Sequence, residues 1–206
     1  RATVFLSLLT MAITSALGAC VGLVSGFFRN RIDDVLMRIC DVMMSFPSEV
    51  MILAIVGMTG PGLENVVIAN VVAKWPWYAR MVRSIVRQYS DKDYIRFAKV
   101  AGGSSIRIMM RHLLPGTAGE LFVLTTLDTG SVILMISALS FLGLGVQPPT
   151  PEWGMMLNEA KEVMTLYPLQ MIPAGMAILL VVAAFNFLGD SLRDAFDPKH
   201  AGRERS

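Results

Sequence analysis

The feature that most constrains this sequence is a run of 26 residues, positions 3–28, that contains no charged side chain. A helix of that length exceeds the roughly 20 residues that are needed to cross the hydrocarbon core of a bilayer. A helix on the surface of a water-soluble domain would carry charges along its solvent-facing side, and this run carries none. The run therefore crosses a membrane or lies deep inside the protein.

Four further apolar runs follow, and 54% of the chain is apolar whereas only 17% is charged. This composition is typical of integral membrane proteins. The runs do not alternate apolar and polar residues as barrel strands do, and a backbone in lipid must satisfy its own hydrogen bonds. The sequence therefore predicts an all-α, polytopic transmembrane helical bundle with five spans. The five runs are 3–28, 35–59, 63–82, 116–142 and 169–188.

Basic residues near the ends of the spans predict the orientation, because lysine and arginine resist translocation. They cluster after the first, third and fifth runs, so these segments are expected in the cytoplasm. The basic residues are Arg29, Arg31 and Arg38; Arg80, Arg83, Arg87, Lys92, Arg96, Lys99, Arg107 and Arg111; and Arg193, Lys199, Arg203 and Arg205. The segments 60–64 and 146–168 contain only one basic residue, Lys161, and are expected outside. Five spans then place Arg1 outside, so we expect one further span upstream of this sequence.

The second basic cluster contains a polar insert, residues 90–115, between two apolar runs. Ser90-Asp91-Lys92-Asp93 has the pattern of a capping box and predicts a helix start, and Gly102-Gly103 predicts the end of that helix. A second short helix is expected from Ser105 to Pro115, where the proline ends it and opens the next span. Composition alone favours a different interpretation, an amphipathic helix that rests on the lipid headgroups.

The spacing in the insert resembles the cytoplasmic-loop motif of ABC-transporter permeases: Glu-Ala-Ala, three residues, glycine, ten residues, and an aliphatic-Leu-Pro ending. Here the motif reads Arg96-Phe97-Ala98, Gly102 and Leu113-Leu114-Pro115. The glutamate and the first alanine are absent, whereas the glycine, the proline and their separation are kept.

Two further segments resemble signatures of one branch, the inner-membrane permeases of dipeptide, oligopeptide and nickel importers. The first runs from Ser140 through Gly154, and the second runs from Asn186 to Pro198. The segments 75–84, 127–130 and 168–171 look closer to the nickel members, and specifically to the nickel permease subunit of the second (C-type) kind.

The resemblance implies a type I ABC importer permease fold, with residues 1–206 forming a single transmembrane permease domain of a bacterial inner membrane. Residues 90–115 would be the coupling-helix insert and residues 146–168 the extracytoplasmic loop. The implied partners are a second homologous permease subunit, two ATP-binding subunits, an extracytoplasmic solute-binding protein and membrane lipid. No nucleic acid is implied. ATP and magnesium would bind the partner subunits, so this chain is expected to have no cofactor, no metal site and no catalytic residue, and is not an enzyme.

The resemblance also assigns roles to residues of the cytoplasmic insert and of the extracytoplasmic loop. The residues expected to couple to the ATPase are Tyr94, Arg96, Phe97, Ala98, Lys99, Val100, Gly102, Arg107, Arg111 and Pro115. Docking is expected to rest mainly on the apolar members, because each exposed ion pair contributes roughly 1 kcal/mol or less. Gly102 would allow close backbone approach, and Pro115 would fix the exit angle into the next span. The extracytoplasmic signature comprises Pro148, Pro149, Trp153 and Gly154, of which Trp153 either contacts the binding protein or shapes the loop.

Three charged residues within the apolar runs, Glu49, Lys74 and Asp128, are candidates for the translocation path. A charge at the bilayer centre costs about 2.5–3.5 kcal/mol on the lenient insertion scale, so such groups usually face the bundle interior or water. The alternative for all three is an ion pair between helices, and Lys74 could also extend to the interface. We favour the path for Asp128, which is too short to reach either end of its span.

The expected cargo is nickel or a related transition metal carried as a chelate, with a dipeptide or oligopeptide as the alternative. An ion-coupled secondary transporter would use the same three charges, but it would need internal repeats, and we find no convincing repeat. An intramembrane enzyme would need a catalytic pair or metal ligands at suitable spacing, and the sequence shows neither.

Overall fold

The computed structural model describes residues 1–196, in which every regular element is a helix or helical turn. The elements are α1 (Ala2–Phe28), α2 (Arg31–Met44), α3 (Ser48–Thr59), α4 (Leu63–Ser90), α5 (Asp93–Val100), α6 (Ser105–Ile108), a π-helical turn (Met109–Leu113), α7 (Leu114–Phe141), α8 (Trp153–Glu162), a 3-10 turn (Pro168–Gln170) and α9 (Met171–Phe196). The all-α prediction is confirmed. The end of the second signature, Asp197-Pro198, and the basic residues Lys199, Arg203 and Arg205 lie outside the described residues.

Three helical segments of the described chain are long and apolar enough to cross a membrane: Ala2–Phe28, Ser105–Phe141 and Pro168–Phe196. A fourth is added if α2 and α3 together form one span. The expected count of five is not reached on length and composition, because α4 covers the third run but carries Glu64, Lys74 and several arginines among its apolar residues.

The second expected span, 35–59, is not one helix. α2 and α3 are bent by 80° relative to each other, and Pro47 lies directly before α3. Proline lacks the amide hydrogen that would continue the α2 ladder, and it disfavours the helical conformation at the residue before it. The apolar character of the run is therefore compatible with a span, but the proline breaks it.

The expected capping box at residues 90–93 is wrong. Val82, Ile85 and Val86 are buried and lie on one face of α4, so the helix continues beyond the predicted end of the run at residue 82. Ser90 is consequently the last residue of α4, and its buried hydroxyl has no hydrogen-bond partner among residues 1–196. α5 begins at Asp93 without a side-chain cap from the described chain.

The predicted end of α5 at the paired glycines is confirmed. Gly102 has a φ of +79°, and its amide donates to the Lys99 carbonyl at 3.1 Å. The Gly103 amide donates to the Ala98 carbonyl at 3.0 Å, which completes a Schellman motif. A side chain on Gly103 is excluded, because its Cβ would lie 2.7 Å from the Ala98 carbonyl oxygen.

The prediction that Pro115 ends the second helix of the insert is wrong. α6, the π turn and α7 form one helical segment from Ser105 to Phe141, with Pro115 in the first turn of α7. Proline in a continuing helix removes one hydrogen bond and crowds the carbonyl four residues earlier, here that of Arg111. The π turn Met109–Leu113 lies at this point, and the wider ladder accommodates the ring.

The chain divides into two compact units. The insert unit comprises Ile13–Phe46 and Lys74–Phe122, and the loop unit comprises Arg1–Ala12, Pro47–Ala73 and residues 123–196. The core of the insert unit is formed by Ala19, Leu23, Val82, Val86, Ile95, Ile108 and Leu113. In the loop unit, the buried apolar residues include Leu6, Val56, Ile133, Ile136 and Leu139.

Candidate coupling surface and extracytoplasmic loop

The exposed side of the insert is apolar. On α5, Tyr94, Phe97 and Val100 are 47%, 78% and 88% exposed, whereas Ile95 is fully buried in the core of the insert unit. Residues three apart lie on the same face of a helix, so these three side chains form one stripe. A stripe of large exposed apolar groups indicates a surface that another molecule covers.

The stripe is extended by two residues of the second helical segment. Ile106 is 72% exposed and Met110 is 59% exposed. Sequence reasoning did not assign these two residues to docking, although their i, i+4 spacing beside exposed basic residues is a usable signal. We call the surface formed by Tyr94, Phe97, Val100, Ile106 and Met110 the insert surface.

The other predicted coupling residues differ in their exposure and in their contacts. Arg96, Arg107 and Arg111 are exposed, as expected for groups that could meet acidic side chains of a partner. Lys99 instead places Nζ 4.8 Å from the centre of the Phe27 ring of α1, within the range of a cation–π interaction. Ala98 packs against the core of the insert unit, and Pro115 is exposed.

Gly102 faces open space, because no atom of residues 1–196 outside its own turn lies within 4 Å of the position that a Cβ would take there. Its positive φ is the conformation that the α5 end requires, and close approach to another part of the described chain is not its role. The interpretation that Gly102 permits close backbone approach therefore applies only to a partner molecule.

A buried carboxylate organises the junction beside the insert. Asp33, in the first turn of α2, is 2% exposed. Its carboxylate accepts hydrogen bonds from Arg83 Nε at 2.6 Å and from Arg83 Nη2 at 2.8 Å. The Ser25 hydroxyl and Arg87 Nη2 also donate to it. Sequence reasoning missed Asp33, although Asp33, Met37 and Cys40 are spaced as one buried helix face.

A third arginine continues this network to the start of the insert. Arg29, which follows α1, places Nη1 2.9 Å from the Asp91 carboxylate, between α4 and α5. Arg29 Nη2 also donates to the Arg87 carbonyl at 2.7 Å. The hydrogen bond from Arg29 holds the pKa of the exposed Asp91 carboxyl below its usual range.

Three glycines bring α1 into close contact with α4 in the insert unit. A Cβ on Gly18 would lie 2.3 Å from Tyr78 Cβ, one on Gly22 would lie 2.6 Å from the Ala79 carbonyl oxygen, and one on Gly26 would lie 2.9 Å from the Arg83 carbonyl oxygen. Small residues four apart allow this approach of helix backbones in membranes. The Gly-x3-Gly-x3-Gly spacing is visible in the sequence and is the signal that could have predicted this contact.

The three path candidates occupy different environments. Glu49 is exposed in the first turn of α3. Lys74 of α4 and Asp128 of α7 are half-buried, and both engage neighbouring groups; Ser131 donates its hydroxyl to the Asp128 carboxylate. Assignment of these residues to the translocation path stays a prediction, and the alternative of structural pairing stays open.

The extracytoplasmic signature is anchored by Glu152, which lies within the first signature segment but was assigned no role of its own. Glu152, the N-cap of α8, is 1% exposed, and its carboxylate accepts hydrogen bonds from Thr3 Oγ1 at 2.9 Å, Ser137 Oγ at 3.3 Å and the Met155 amide at 3.0 Å. These donors come from α1, α7 and α8. Glu152 therefore fixes the start of α8 within the loop unit.

The four predicted signature residues surround this anchor. A Cβ on Gly154 would lie 2.1 Å from the Ser137 carbonyl oxygen, so only glycine fits there. Trp153 is half-buried, whereas Pro148 and Pro149 are exposed and joined by a cis peptide bond. Packing of the loop thus accounts for Gly154, and contact of Trp153 with a binding protein stays a prediction.

Three relatives of known role align with most of this chain. The metal-staphylopine import system permease protein CntC of Staphylococcus aureus (strain Mu50 / ATCC 700699) is 44% identical over 174 residues, which cover 84% of this chain and 60% of the relative. The nickel transport system permease protein NikC of Escherichia coli (strain K12) is 40% identical over 188 residues, covering 91% and 68%. The glutathione transport system permease protein GsiD of Escherichia coli O6:K15:H31 (strain 536 / UPEC) is 44% identical over 190 residues, covering 92% and 63%. The chain thus aligns with about 60% of the length of CntC.

A solved structure shares the fold. A chain of the MetNI methionine ABC transporter, in an inward-facing conformation, superposes with a TM-score of 0.69 over 95% of this chain and 94% of that chain, at 14% sequence identity. The expected type I ABC importer permease fold is confirmed by this match. Residues 18–201 also match the family described as "Binding-protein-dependent transport system inner membrane component". The chain belongs to the family of binding-protein-dependent transport system inner membrane components.

Proposed function

We propose that this chain is the transmembrane permease subunit of an ATP-driven ABC importer in a bacterial inner membrane. It would form half of the translocation pathway beside a second homologous permease subunit. Two ATP-binding subunits would bind ATP and magnesium and drive the cycle, and an extracytoplasmic solute-binding protein would deliver the cargo. Family membership and the similarity to three importer permeases support this assignment.

The observation that carries the proposal is the insert surface. Five large apolar side chains are exposed on α5 and on the first two turns of the helical segment that begins at Ser105, and Arg96, Arg107 and Arg111 of the same segments are exposed as well. A protein interface combines apolar anchors with arginine, and this surface has both. The ATP-binding subunit is the partner that this surface would meet.

Coupling follows from how the insert is connected. α5 and α6 lie between α4 and α7, and Ile95 and Ile108 fix them to the core of the insert unit. A push on the insert surface would therefore act on packed helices rather than on a free loop. Hydrolysis would occur on the partner, and this chain would convert the movement into opening and closing of the path.

We propose nickel or a related transition-metal chelate as the cargo. The names of CntC and NikC are consistent with this, because they refer to a metal-staphylopine and to nickel. Glu49 and Asp128 would add negative charge to a path for a cation. A peptide is the second candidate, because GsiD is named for glutathione and is as similar to this chain as CntC is.

Uptake by sealed membrane vesicles that contain the full transporter and its solute-binding protein tests the proposal. We expect accumulation of labelled nickel that requires ATP and persists when the proton gradient is collapsed. Accumulation driven by a proton gradient alone would refute the ATP-driven assignment. Uptake of a labelled dipeptide but not of nickel would show that the cargo is a peptide, and the ATP-driven mechanism would still hold.

A pair of variants at one position links the assay to the insert surface. Phe97→Asp places a charge in the exposed stripe and should abolish ATP-driven uptake while the protein remains in the membrane. Phe97→Leu keeps an apolar side chain and should retain most of the uptake. Equal uptake by the two variants would show that the stripe is not a docking surface.

A further inference from the structure

The insert unit contains a charge network that reaches from α1 to the start of the insert. Asp33 of α2 accepts hydrogen bonds from Ser25 of α1 and from Arg83 and Arg87 of α4. Arg87 lies three residues before the end of α4, and the insert helix α5 begins at Asp93. One carboxylate therefore joins the three helices next to the insert.

Two arginines of α4 bind the Asp33 carboxylate in a fixed orientation. Arg83 Nε donates to Oδ1 at 2.6 Å and Arg83 Nη2 donates to Oδ2 at 2.8 Å, and Arg87 Nη2 also donates to Oδ2. Forked binding of this kind fixes orientation as well as distance. The Asp33 side chain is almost completely buried, whereas both arginines are partly exposed.

Further contacts hold α1 against α4 and join the end of α1 to the start of the insert. Gly22 and Gly26 of α1 leave no space between α1 and α4, and Arg29 joins the end of α1 to Asp91 and to the Arg87 carbonyl. A displacement of α5 would therefore pull on Asp91, on α4 and on α1 together.

We propose that Asp33 is a positioning residue for coupling, which makes α1, α2 and the end of α4 move as one body with the insert. This inference rests on the proposed function, because it concerns how movement of the insert reaches the spans. Asp33 acts through Arg83 and Arg87, and its loss would allow the insert to move without the spans.

The test measures cargo transported per ATP hydrolysed, using the full transporter in proteoliposomes with its solute-binding protein and both labelled nickel and a labelled dipeptide. In Asp33→Asn, one carboxylate oxygen is replaced by an NH2 group that cannot accept, so one of the two Arg83 hydrogen bonds is lost together with that from Ser25 or Arg87. We expect the ratio to fall about tenfold. Asp34→Asn is the matched control, because Asp34 is the next residue of the same helix turn and is exposed. Its ratio should equal that of the wild type.

The ratio separates positioning from a structural role. A structural role would lower the amount of assembled transporter, its ATPase activity and its transport together, and would leave the ratio unchanged. That result would overturn the inference, as would a wild-type ratio in Asp33→Asn.

Arg83→Lys provides a second variant if Asp33→Asn does not assemble. It keeps the positive charge and loses the planar fork, so we expect an intermediate fall of about threefold in the ratio. An unchanged ratio in Arg83→Lys, or failure of both variants to assemble, would overturn the inference. A wild-type transporter without any ATP-dependent uptake would instead refute the proposed function itself.

Discussion

Replacement of Gly22 by alanine tests the close packing of α1 on α4 in the insert unit. The added Cβ would lie 2.6 Å from the Ala79 carbonyl oxygen, 2.7 Å from Val82 Cβ and 2.9 Å from the Arg83 amide nitrogen. Two of these three atoms belong to the backbone of α4, so no side-chain rotation can relieve the contact. Ordinary contact begins at 3.4 Å, so the helices must separate by about 0.8 Å.

Overpacking of this kind costs about 1–3 kcal/mol. For a chain of 150–250 residues, 1 kcal/mol corresponds to about 2–4 °C in the unfolding temperature, so Gly22→Ala should lower Tm by about 2–12 °C. The measurement is thermal unfolding of the purified complex in detergent. The separation of α1 from α4 should also disturb Asp33, so cargo transported per ATP should fall in the same variant.

Gly57→Ala is the matched control. Gly57 lies within helix α3, and no atom of residues 1–196 beyond its own helix turn lies within 4 Å of the position that its Cβ would take. Alanine in a helix is favoured over glycine by about 0.8–1.0 kcal/mol, so Tm should stay constant or rise slightly. A Gly22→Ala complex that unfolds at the same temperature as Gly57→Ala would refute the packing argument.

Three further predictions concern single sites. Glu152→Gln should lower the unfolding temperature through loss of charged hydrogen bonds worth about 1.5–3 kcal/mol each. Glu159→Gln, at a more accessible position of the same helix, should leave the unfolding temperature unchanged. Equal thermal unfolding curves for the two variants would contradict the anchoring role of Glu152. Gly102→Trp should abolish cargo-stimulated ATPase activity. Membrane insertion should stay intact, because the added side chain would enter open space and meet no other part of the described chain. Normal transport by this variant would count against docking at this point. Gly102→Asn, which tolerates the positive φ without the bulk, should retain most of the transport, and this comparison separates backbone strain from obstruction.

The helical class and the principal segments could be predicted because both depend on local pattern. The uncharged run at the start of the chain became α1, and the positive φ expected at the end of α5 is found at Gly102. Apolar composition alone did not predict the helix break in the 35–59 run, where one proline interrupts more than twenty largely apolar residues. Ser90 shows another limit, because burial of one face of α4 extended that helix past a favourable capping sequence.

The two buried acids could not be placed from sequence alone. Asp33 meets Arg83 fifty residues away, and Glu152 meets Thr3 at a separation of 149 residues. An acidic residue is ordinarily solvated. Only the tertiary arrangement supplies the donors that make burial of these carboxylates favourable.

Cross-linking of the insert to its partner tests the central claim most directly. Val100→Cys places a thiol at the most exposed apolar position of α5, in a transporter in which Cys20 and Cys40 have been replaced by serine. With a short bifunctional reagent, we expect a product that joins this chain to the ATP-binding subunit. Leu166→Cys, similarly accessible on the predicted outer loop, should give no such product. A cross-link from Leu166 but not from Val100, or no cross-link from Val100 to any partner polypeptide, would contradict the account.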